Sequence, residues 1–428
     1  MPVTLSQAVD PSKTFIWGGV PHGGGRLNQP APNATRIGFD LESGTTLALE
    51  RLGAPANTPT VEWQAVEFSS GAFVQRGAQS LTTTDATLNV TLPFAVDTTK
   101  SFVLVSVAPN SATNNLDEQW TIRSRLTSAT NLELSRNESG IAVDVYWQVI
   151  ELDGAVVQRG VTTIGAGAAS ATAAIATVDT TKSFLVMSYR GAPASMGAEA
   201  QYTTRGMVTN STTLTFNRVS TTNSVDVVWE VVSLTDSGAA VQSGSTSTTA
   251  TSNTSISQPL TAVDLWRSFV YISAQGGSAA ANTQLDEVAW TAALTSSTNL
   301  QLQRGGAGSH GTLNWQVIQF AGPVPTKLAV TSINGGSNPA AGAAFSVVVE
   351  AQDANGNGSA VAADTAVALS LNTGTGNLAG TLTGTITAGT RQATVSGVIY
   401  SKAESGVVLT ATRTSGDNLT AGNSAPFT

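Results

Sequence analysis

The segment VDTTKSF stands at residues 96–102 and again, unchanged, at 178–184. A chain that repeats a stretch at such a distance is constrained to build one structural unit more than once. Two divergent copies, VDPSKTF at 9–15 and VDLWRSF at 263–269, make four, and their phenylalanines Phe15, Phe102, Phe184 and Phe269 lie 87, 82 and 85 residues apart. The segments VEWQAVEF, VYWQVIEL, VVWEVVSL and LNWQVIQF place Trp63, Trp147, Trp229 and Trp315 at intervals of 84, 82 and 86. A third marker ends in Arg51, Arg136, Arg218 and Arg304, and a fourth reads VQRG at 74–77, VQRG at 157–160 and VQSG at 241–244.

The periodicity within each copy is that of β-structure. Val143, Val145, Trp147 and Val149 alternate with Asp144, Tyr146 and Gln148, which predicts a strand with one buried and one wet face. Gly, Asn and Ser clusters interrupt such runs every 8–12 residues or so, and no helical stripe is evident, so each copy is expected to be an antiparallel sandwich of about six strands. The expected organisation is module 1 over 1–68, module 2 over 69–153, module 3 over 154–236, module 4 over 237–322 and a different domain over 323–428. At roughly 84 residues a module can bury a core of its own, which favours beads on a string, a rod, over a continuous superhelix.

Composition narrows the function classes. Charged residues make up 11% of the 428, against about 25% in an average soluble protein. The net charge of −8 argues against nucleic acid, which requires a basic footprint. Cysteine is absent, so no disulfide or thiolate site forms. No apolar run of about 18 residues exists, so no membrane insertion is expected, and the opening MPVTLSQAVDPSK lacks the order of a signal peptide. Together with an ending, SAPFT, that reads as a strand, this suggests a fragment of a larger protein.

The repeated residues read as structural. Asp10, Asp97, Asp179 and Asp264 open turns in which a carboxylate accepts backbone N–H groups, in preference to a cation or sugar site. Trp63, Trp147, Trp229 and Trp315, in phase with buried Val, read as core anchors rather than sugar platforms, with Phe15, Phe102, Phe184 and Phe269 entering the next strand as further core. Arg76, Arg159, Arg123, Arg205, Arg136 and Arg218 could line an anion cleft, but pairing across strands or between modules fits better. The LDE pairs Asp117–Glu118 and Asp286–Glu287 occur in two modules only, a weak calcium signal. His22 and His310 lie in loops of different modules and are not repeated, so neither a triad nor a zinc site assembles around them, and GGG at 23–25 lacks the Lys–Ser/Thr of a phosphate loop. No catalytic residue, metal or cofactor is implied.

After the Pro-bearing linker AGPVPTK at 321–327, the order F-x-V-x-V-x-A-x-D-A-x-G-N, V-x-L-S-L, G-x-L-x-G and G-V-x-L-T-A-T resembles the bacterial Ig-like domains of large secreted and surface proteins. The resemblance covers about 327–428 and implies a β-sandwich, without naming a ligand. Asp353, Asn355 and Asn357 have the alternation of a calcium loop, yet no bidentate acid follows, so a hairpin turn is the better reading. The four modules resemble sugar-binding sandwiches of the H-type lectin kind only faintly, through the closing V-x-W strand.

The fold class expected is therefore all-β, four homologous sandwich repeats followed by one Ig-like sandwich. The function expected is a non-enzymatic extracellular or cell-surface structural protein, part of an adhesin, matrix filament or sheath, whose partners are its own copies or a surface polymer or glycan. A multivalent carbohydrate-binding array is the alternative, and a phage or viral fibre the next. The Trp strand occurs four times but the V-Q-x-G strand three, so one terminal module should be short. Each Trp strand is expected to form a hairpin with the V-Q-x-G strand after it, and a terminal sheet edge is expected to accept a strand from a neighbouring chain.

Overall fold

The computed structural model describes residues 1–19, 36–51, 61–110, 117–191, 203–248 except 220 and 237, 254–276, 289–305 and 311–428 except 355. The chain divides into two compact units, Met1–Phe320 and Ala321–Thr428. It is almost entirely β, built from small antiparallel sheets, and among the described residues no helix is long and apolar enough to cross a membrane.

In the first unit the sheets fall into four pairs. The first module has β1 (Pro2–Thr4), β2 (Thr14–Gly19), β3 (Gly38–Ser43), β4 (Thr46–Glu50) and β5 (Glu62–Glu67). The second has β6 (Ala72–Leu81), β7 (Thr87–Thr91), β8 (Ser101–Pro109), β9 (Arg123–Ser128), β10 (Asn131–Ser135) and β11 (Val143–Leu152). The third repeats this six-strand order with β12 (Ala155–Ile164), β13 (Ser170–Ala174), β14 (Ser183–Gly191), β15 (Arg205–Asn210), β16 (Thr213–Asn217) and β17 (Val225–Leu234). The fourth follows with β18 (Ala240–Ser247), β19 (Ser255–Pro259), β20 (Ser268–Gln275), β21 (Trp290–Ser296), β22 (Asn299–Arg304) and β23 (Thr312–Gln319).

One sheet of each complete module carries the Trp strand at its centre, in the orders β6-β11-β8, β12-β17-β14 and β18-β23-β20; the other has the orders β7-β10-β9, β13-β16-β15 and β19-β22-β21. The two sheets face each other across a small apolar core. In module 2 that core holds Leu81, Leu132, Leu134, Val145, Trp147 and Val149, whose period of two along each strand sends them to one side of the pleat. Module 1 has the second sheet, β1-β4-β3, but among the described residues its Trp-strand sheet consists of β2 and β5.

Three expectations are corrected here. Each Trp strand does not form a hairpin with the V-Q-x-G strand after it: β6 follows β5 in the chain yet pairs along its whole length with β11, a module later. The V-Q-x-G strand therefore opens its own module, and the chain steps from module to module between β5 and β6. The second face of the Trp strand is not wet, since Gln148 is 7% exposed and Ile150 is buried. Nor are the modules beads on a string or a rod. Residues from all four meet at one point, as shown below, so the face of each Trp-strand sheet turned away from its own core is covered by its neighbours.

The second unit is a sandwich of two four-stranded sheets. Its strands are β24 (Lys327–Ile333), β25 (Ala344–Gln352), β26 (Thr365–Thr373), β27 (Leu378–Gly380), β28 (Thr383–Ile386), β29 (Gln392–Tyr400), β30 (Val408–Arg413) and β31 (Gly422–Asn423), in the orders β24-β25-β29-β27 and β28-β26-β30-β31. Val347, Val349, Ala351, Val367, Leu369, Val398, Leu409 and Ala411 fill the space between the sheets. Asp353 Oδ1 accepts the N–H of Asn357, 2.9 Å away, and Asp353 O accepts that of Gly356, so this stretch is a tight turn. Asn355 lies outside the described residues.

Candidate axial cavity of the four-module ring

The phenylalanine after each repeated turn is the element that closes the ring. Phe15, Phe102, Phe184 and Phe269 are all fully buried. Their rings contact one another in a cycle, with centroids 6.3 Å apart for Phe15–Phe102, 5.8 Å for Phe102–Phe184, 5.9 Å for Phe184–Phe269 and 5.3 Å for Phe269–Phe15. Interplanar angles of 80° to 89° make every contact edge-to-face, the arrangement in which the positive ring edge meets the negative face. Four strands, one per module, thus converge on a common axis.

The seams between modules are polar and repeat. The residue after each Trp reaches the backbone of the module before it, one residue beyond the Phe. Gln148 Oε1 accepts the N–H of Ile16 at 2.8 Å while its Nε2 donates to Ile16 O at 2.8 Å. Gln316 repeats both contacts with Leu185, at 2.7 and 2.9 Å. Glu230 Oε2 accepts from Val103 N–H at 2.7 Å, and Gln64 of module 1 accepts from Val270 N–H of module 4 at 3.0 Å, which closes the cycle. A primary amide with one acceptor and one donor imitates a strand partner and satisfies an edge that burial would otherwise leave unpaired. Glu230 lacks the donor; burial pushes its carboxyl up to about 7, with Arg159 beside it at 3.3 Å.

Serines make a second set of seam contacts farther along the same strands. Ser106 Oγ accepts from Phe39 N–H at 2.9 Å, Ser188 Oγ from Ser124 N–H at 2.9 Å and Ser273 Oγ from Gly206 N–H at 3.1 Å. At the fourth seam the equivalent residue is Gly19, where a Cβ would approach Trp290 O to 3.1 Å.

Beyond the phenylalanine tetrad, a cavity of about 300 Å³ is lined by residues from all four modules, among them Trp17, Tyr271, Met187, Trp120, Trp290 and Arg36. Its aromatic groups are already engaged. Trp17 stacks on Tyr271 at 4.8 Å and 22°, and the Arg36 guanidinium lies 4.7 Å over the Trp120 ring. The Tyr271 hydroxyl donates to Met187 O and accepts from Met187 N–H, both at 3.1 Å, and burial raises its pKa well above the usual phenol range. Among the described residues of the lining, Glu62 is the single carboxylate and Arg36 the single guanidinium. That set offers apolar surface, ring faces and a few hydrogen bonds, which suits holding a ligand. Arg36 Nε, Trp120 Nε1 and Trp290 Nε1 are buried donors without an acceptor among the described residues.

No protein-family model matches the chain, and no curated protein sequence matches it.

The residues singled out in the sequence occupy repeated places. Asp10, Asp97, Asp179 and Asp264 each accept, through Oδ1, the N–H two residues on: Ser12 at 2.9 Å, Thr99 at 2.9 Å, Thr181 at 2.9 Å and Trp266 at 3.0 Å. Hydrogen bonds from the side chain and backbone of that same residue hold Asp10, Asp97 and Asp179 below the usual carboxylate range. Trp147, Trp229 and Trp315 are buried in their module cores and Trp63 is half-buried. The arginines do not converge on a cleft. Arg136 is fully buried and donates to four carbonyls, those of Asp85, Gln119, Ile141 and Thr82; Arg218 does the same with Ala168, Gly165 and Asn223. Arg76 and Arg159 cross to the preceding module, donating to Pro11 and Thr14 and to Ser101. Arg123 pairs with Glu133 at 2.8 Å, and Arg205 donates to Gln275 and Asn314 of module 4.

Glu118, in a helical turn Asp117–Trp120, is buried, and burial together with Glu138 pushes its carboxyl up to about 7. His22, His310, Gly23–Gly25, Asp286 and Glu287 lie outside the described residues. Among the described residues no group of three or more His, Cys, Asp or Glu is placed to hold a metal ion.

Sequence reasoning missed the seam residues Gln64, Gln148, Glu230 and Gln316. Their signal was present, since the amide or acid follows Trp in all four segments, but on an alternating strand it was read as the wet face.

Proposed function

We propose that the chain is a non-enzymatic structural or adhesive module of an extracellular or cell-surface assembly, such as an adhesin, matrix filament or sheath, with the second unit an Ig-like domain. The observation that carries this reading is that the residues repeated through the modules are spent on the fold itself: Phe on the tetrad, the Gln or Glu after Trp on the seam, Trp147, Trp229 and Trp315 on the module cores, and Asp on its own turn. A binding array would keep an outward constellation of polar and aromatic groups in each module. The two four-stranded sheets of 327–428, packed around one core, support the Ig-like reading.

Electron micrographs of the purified chain at high concentration test the scaffold reading. Filaments or lattices support it; reproducible binding on a glycan array instead, lost in a Trp120→Ala variant, would move the assignment to carbohydrate recognition. That second reading draws on the axial cavity, where Trp120 Nε1 and Trp290 Nε1 point to acceptor-rich ligands.

A further inference from the structure

The axis of the first unit is closed at one level and open at the next. At the tetrad, four aromatic rings meet and fill it. Four residues farther along the same strands stand Gly19, Ser106, Ser188 and Ser273, small in every module. The period of two sends them to the same side of the strand as the Phe, so the chain loses side-chain bulk where the strands run past the tetrad. The three serine hydroxyls are spent on the seams, and all four positions line the cavity of about 300 Å³. That volume is enough for a small organic molecule.

The walls of the cavity differ in chemistry. Modules 2, 3 and 4 contribute apolar groups, among them Val105, Ile122, Met187 and Ile272, and the stacked pair Trp17–Tyr271 adds a flat aromatic surface. Module 1 contributes the charges. Arg36 lies just ahead of β3, where Ile37 and Phe39 alternate into the module core; the alternation sends Arg36 to the opposite side, over the Trp120 ring of module 2 at 4.7 Å. Glu62 and Gln64 flank the core residue Trp63 on β5 and share the side turned toward module 4, where Gln64 accepts from Val270 N–H. The two charges therefore stand on different flanks of module 1, and no ion pair joins them.

Arg36 is also set apart from the other arginines of the ring. A guanidinium carries five N–H donors. Arg136 places its donors on four carbonyls, and Arg205 on Gln275 and Asn314. Arg36 Nε is buried without an acceptor, and among the described residues neither Arg36 nor Glu62 has a hydrogen-bond or ion-pair partner. The Trp120 face fixes the plane of the guanidinium through a cation–π contact and leaves its N–H edge to other groups. A planar fork held in this way matches a carboxylate, which accepts two parallel hydrogen bonds from it.

We propose that the axial cavity binds a small amphipathic carboxylate, its charged end paired with Arg36 and its flat apolar body against Val105, Met187 and Ile272. Glu62 on the other flank disfavours a second negative group, so the ligand is a monoanion. The proposal goes beyond the scaffold reading and departs from the carbohydrate one, because a neutral sugar brings no charge to Arg36. Assembly into filaments neither requires nor excludes it, so the two readings fail separately.

The test uses the intact chain and naphthoate, titrated by calorimetry. Saturable binding of one molecule per chain is expected. Naphthamide has the same shape without the charge and should bind at least about tenfold more weakly, because a hydrogen bond between charged groups is roughly twice as strong as a neutral one. Naphthoate should lose at least about the same factor with Arg36→Gln, and Arg36→Lys, which keeps the charge without the fork, should fall between. Melting temperatures taken alongside identify a variant that fails to fold, and the naphthamide comparison on the native chain then decides alone. Naphthalene dicarboxylate should bind more weakly than naphthoate and regain affinity with Glu62→Gln. Trp266→Ala removes the side chain that is 96% exposed and should change nothing. No saturable binding at millimolar naphthoate, equal affinity for naphthamide or for the dicarboxylate, unchanged affinity in folded Arg36→Gln, or loss of binding with Trp266→Ala would each overturn the proposal. Stronger competition from a neutral hexose than from benzoate would overturn it in favour of carbohydrate.

Discussion

The two units of this chain are both β-sandwiches, yet they close their cores in different ways. The second unit buries Val347, Val349, Leu369 and Leu409 between two sheets of its own chain segment. The first divides a similar task among four small sandwiches and then spends a shared tetrad, Phe15, Phe102, Phe184 and Phe269, on joining them. A sandwich of three-stranded sheets leaves both of its flanks partly apolar, and burial of the second flank is what the ring provides. The difference teaches that a repeat able to form a core need not be independent. Cooperativity should then be carried by the axis in one unit and by the sheet pair in the other.

Removing the axis is the most severe way to break this comparison. Phe102→Ala deletes one ring that touches two neighbours, Phe15 and Phe184, and a buried Phe→Ala change costs about 3–5 kcal/mol. Calorimetry should show two transitions for the native protein, and this variant should lower the one belonging to residues 1–320 as a single event while leaving the other in place. Sequential melting of separate modules would instead restore the string-of-beads picture.

Two buried carboxylates of the first unit and one carboxylate of the second are expected to respond to pH in opposite directions. Glu230 is raised by burial from 4.5 to about 7, so its contribution is fully present below pH about 4.5 and is lost as pH rises through 7. A shift of this size corresponds to about 3 kcal/mol, and Glu118, also raised to about 7, acts in the same sense. In the second unit Glu404 is lowered, first by the hydrogen bond from the Tyr400 hydroxyl and then by the N–H of Thr375. Its contribution is present above the ordinary glutamate range and is lost as pH falls. Glu230→Gln reproduces the Gln148 found opposite Arg76 in module 2, a combination the fold already accepts. It should raise the melting temperature of the first unit at pH 8, leave it nearly unchanged at pH 5, and not affect the second unit at either; an equal gain at both pH values would show that protonation of Glu230 is not the cause.

Much of this was legible in the sequence, and the limits have physical reasons. Alternation along 143–149 reported the strand and the buried Trp147 because the period of a pleat is written directly in side-chain polarity. The same alternation misplaced Gln148, because a polar residue at a seam and a polar residue in water look identical until the neighbour is known. Four phenylalanines at matched positions announced a repeat but not a tetrad, since contacts between modules have no period within any one of them. The uneven markers were countable, three V-Q-x-G strands against four Trp strands, whereas the contact of Gln64 with Val270 became visible only once the ring brought module 4 beside module 1. The axial cavity left little signal: Trp17 and Tyr271 both stand two residues after their tetrad Phe, but Leu104 and Val186 take that place in modules 2 and 3, and Trp120 and Trp290 are not at matched positions.

The V-Q-x-G strands allow a milder perturbation that separates modules rather than units. Gly160→Ala would place a Cβ 2.3 Å from Trp229 Cζ2, and overpacking of this kind costs about 1–3 kcal/mol. The first unit should lose stability while Trp229 fluorescence becomes more exposed. The same substitution at Gly165, which meets nothing within 4 Å, should change little. Similar losses at both sites would mean that backbone conformation, not the indole, selects glycine at 160.

The smallest effect should come from the repeated turns. Asp97 accepts the N–H and hydroxyl of Thr99 at 2.9 and 2.6 Å, and Glu151 accepts the N–H of Asp97 at 2.9 Å, so every acceptor contact described for the carboxylate is with the protein itself. Asp97→Ala should lower the melting temperature of the first unit slightly, and more at pH 7 than at pH 2. The sign follows from its lowered pKa: the carboxylate stabilises the fold above the ordinary Asp range and ceases to do so once protonated in both states. Asp97→Asn, which keeps an acceptor for the Thr99 N–H, should recover most of the loss. EDTA should leave the transition where it is. A drop with chelator as large as the one produced by Asp97→Ala would turn these turns from backbone caps into cation sites, and would make the four modules, unlike the second unit, metal-dependent.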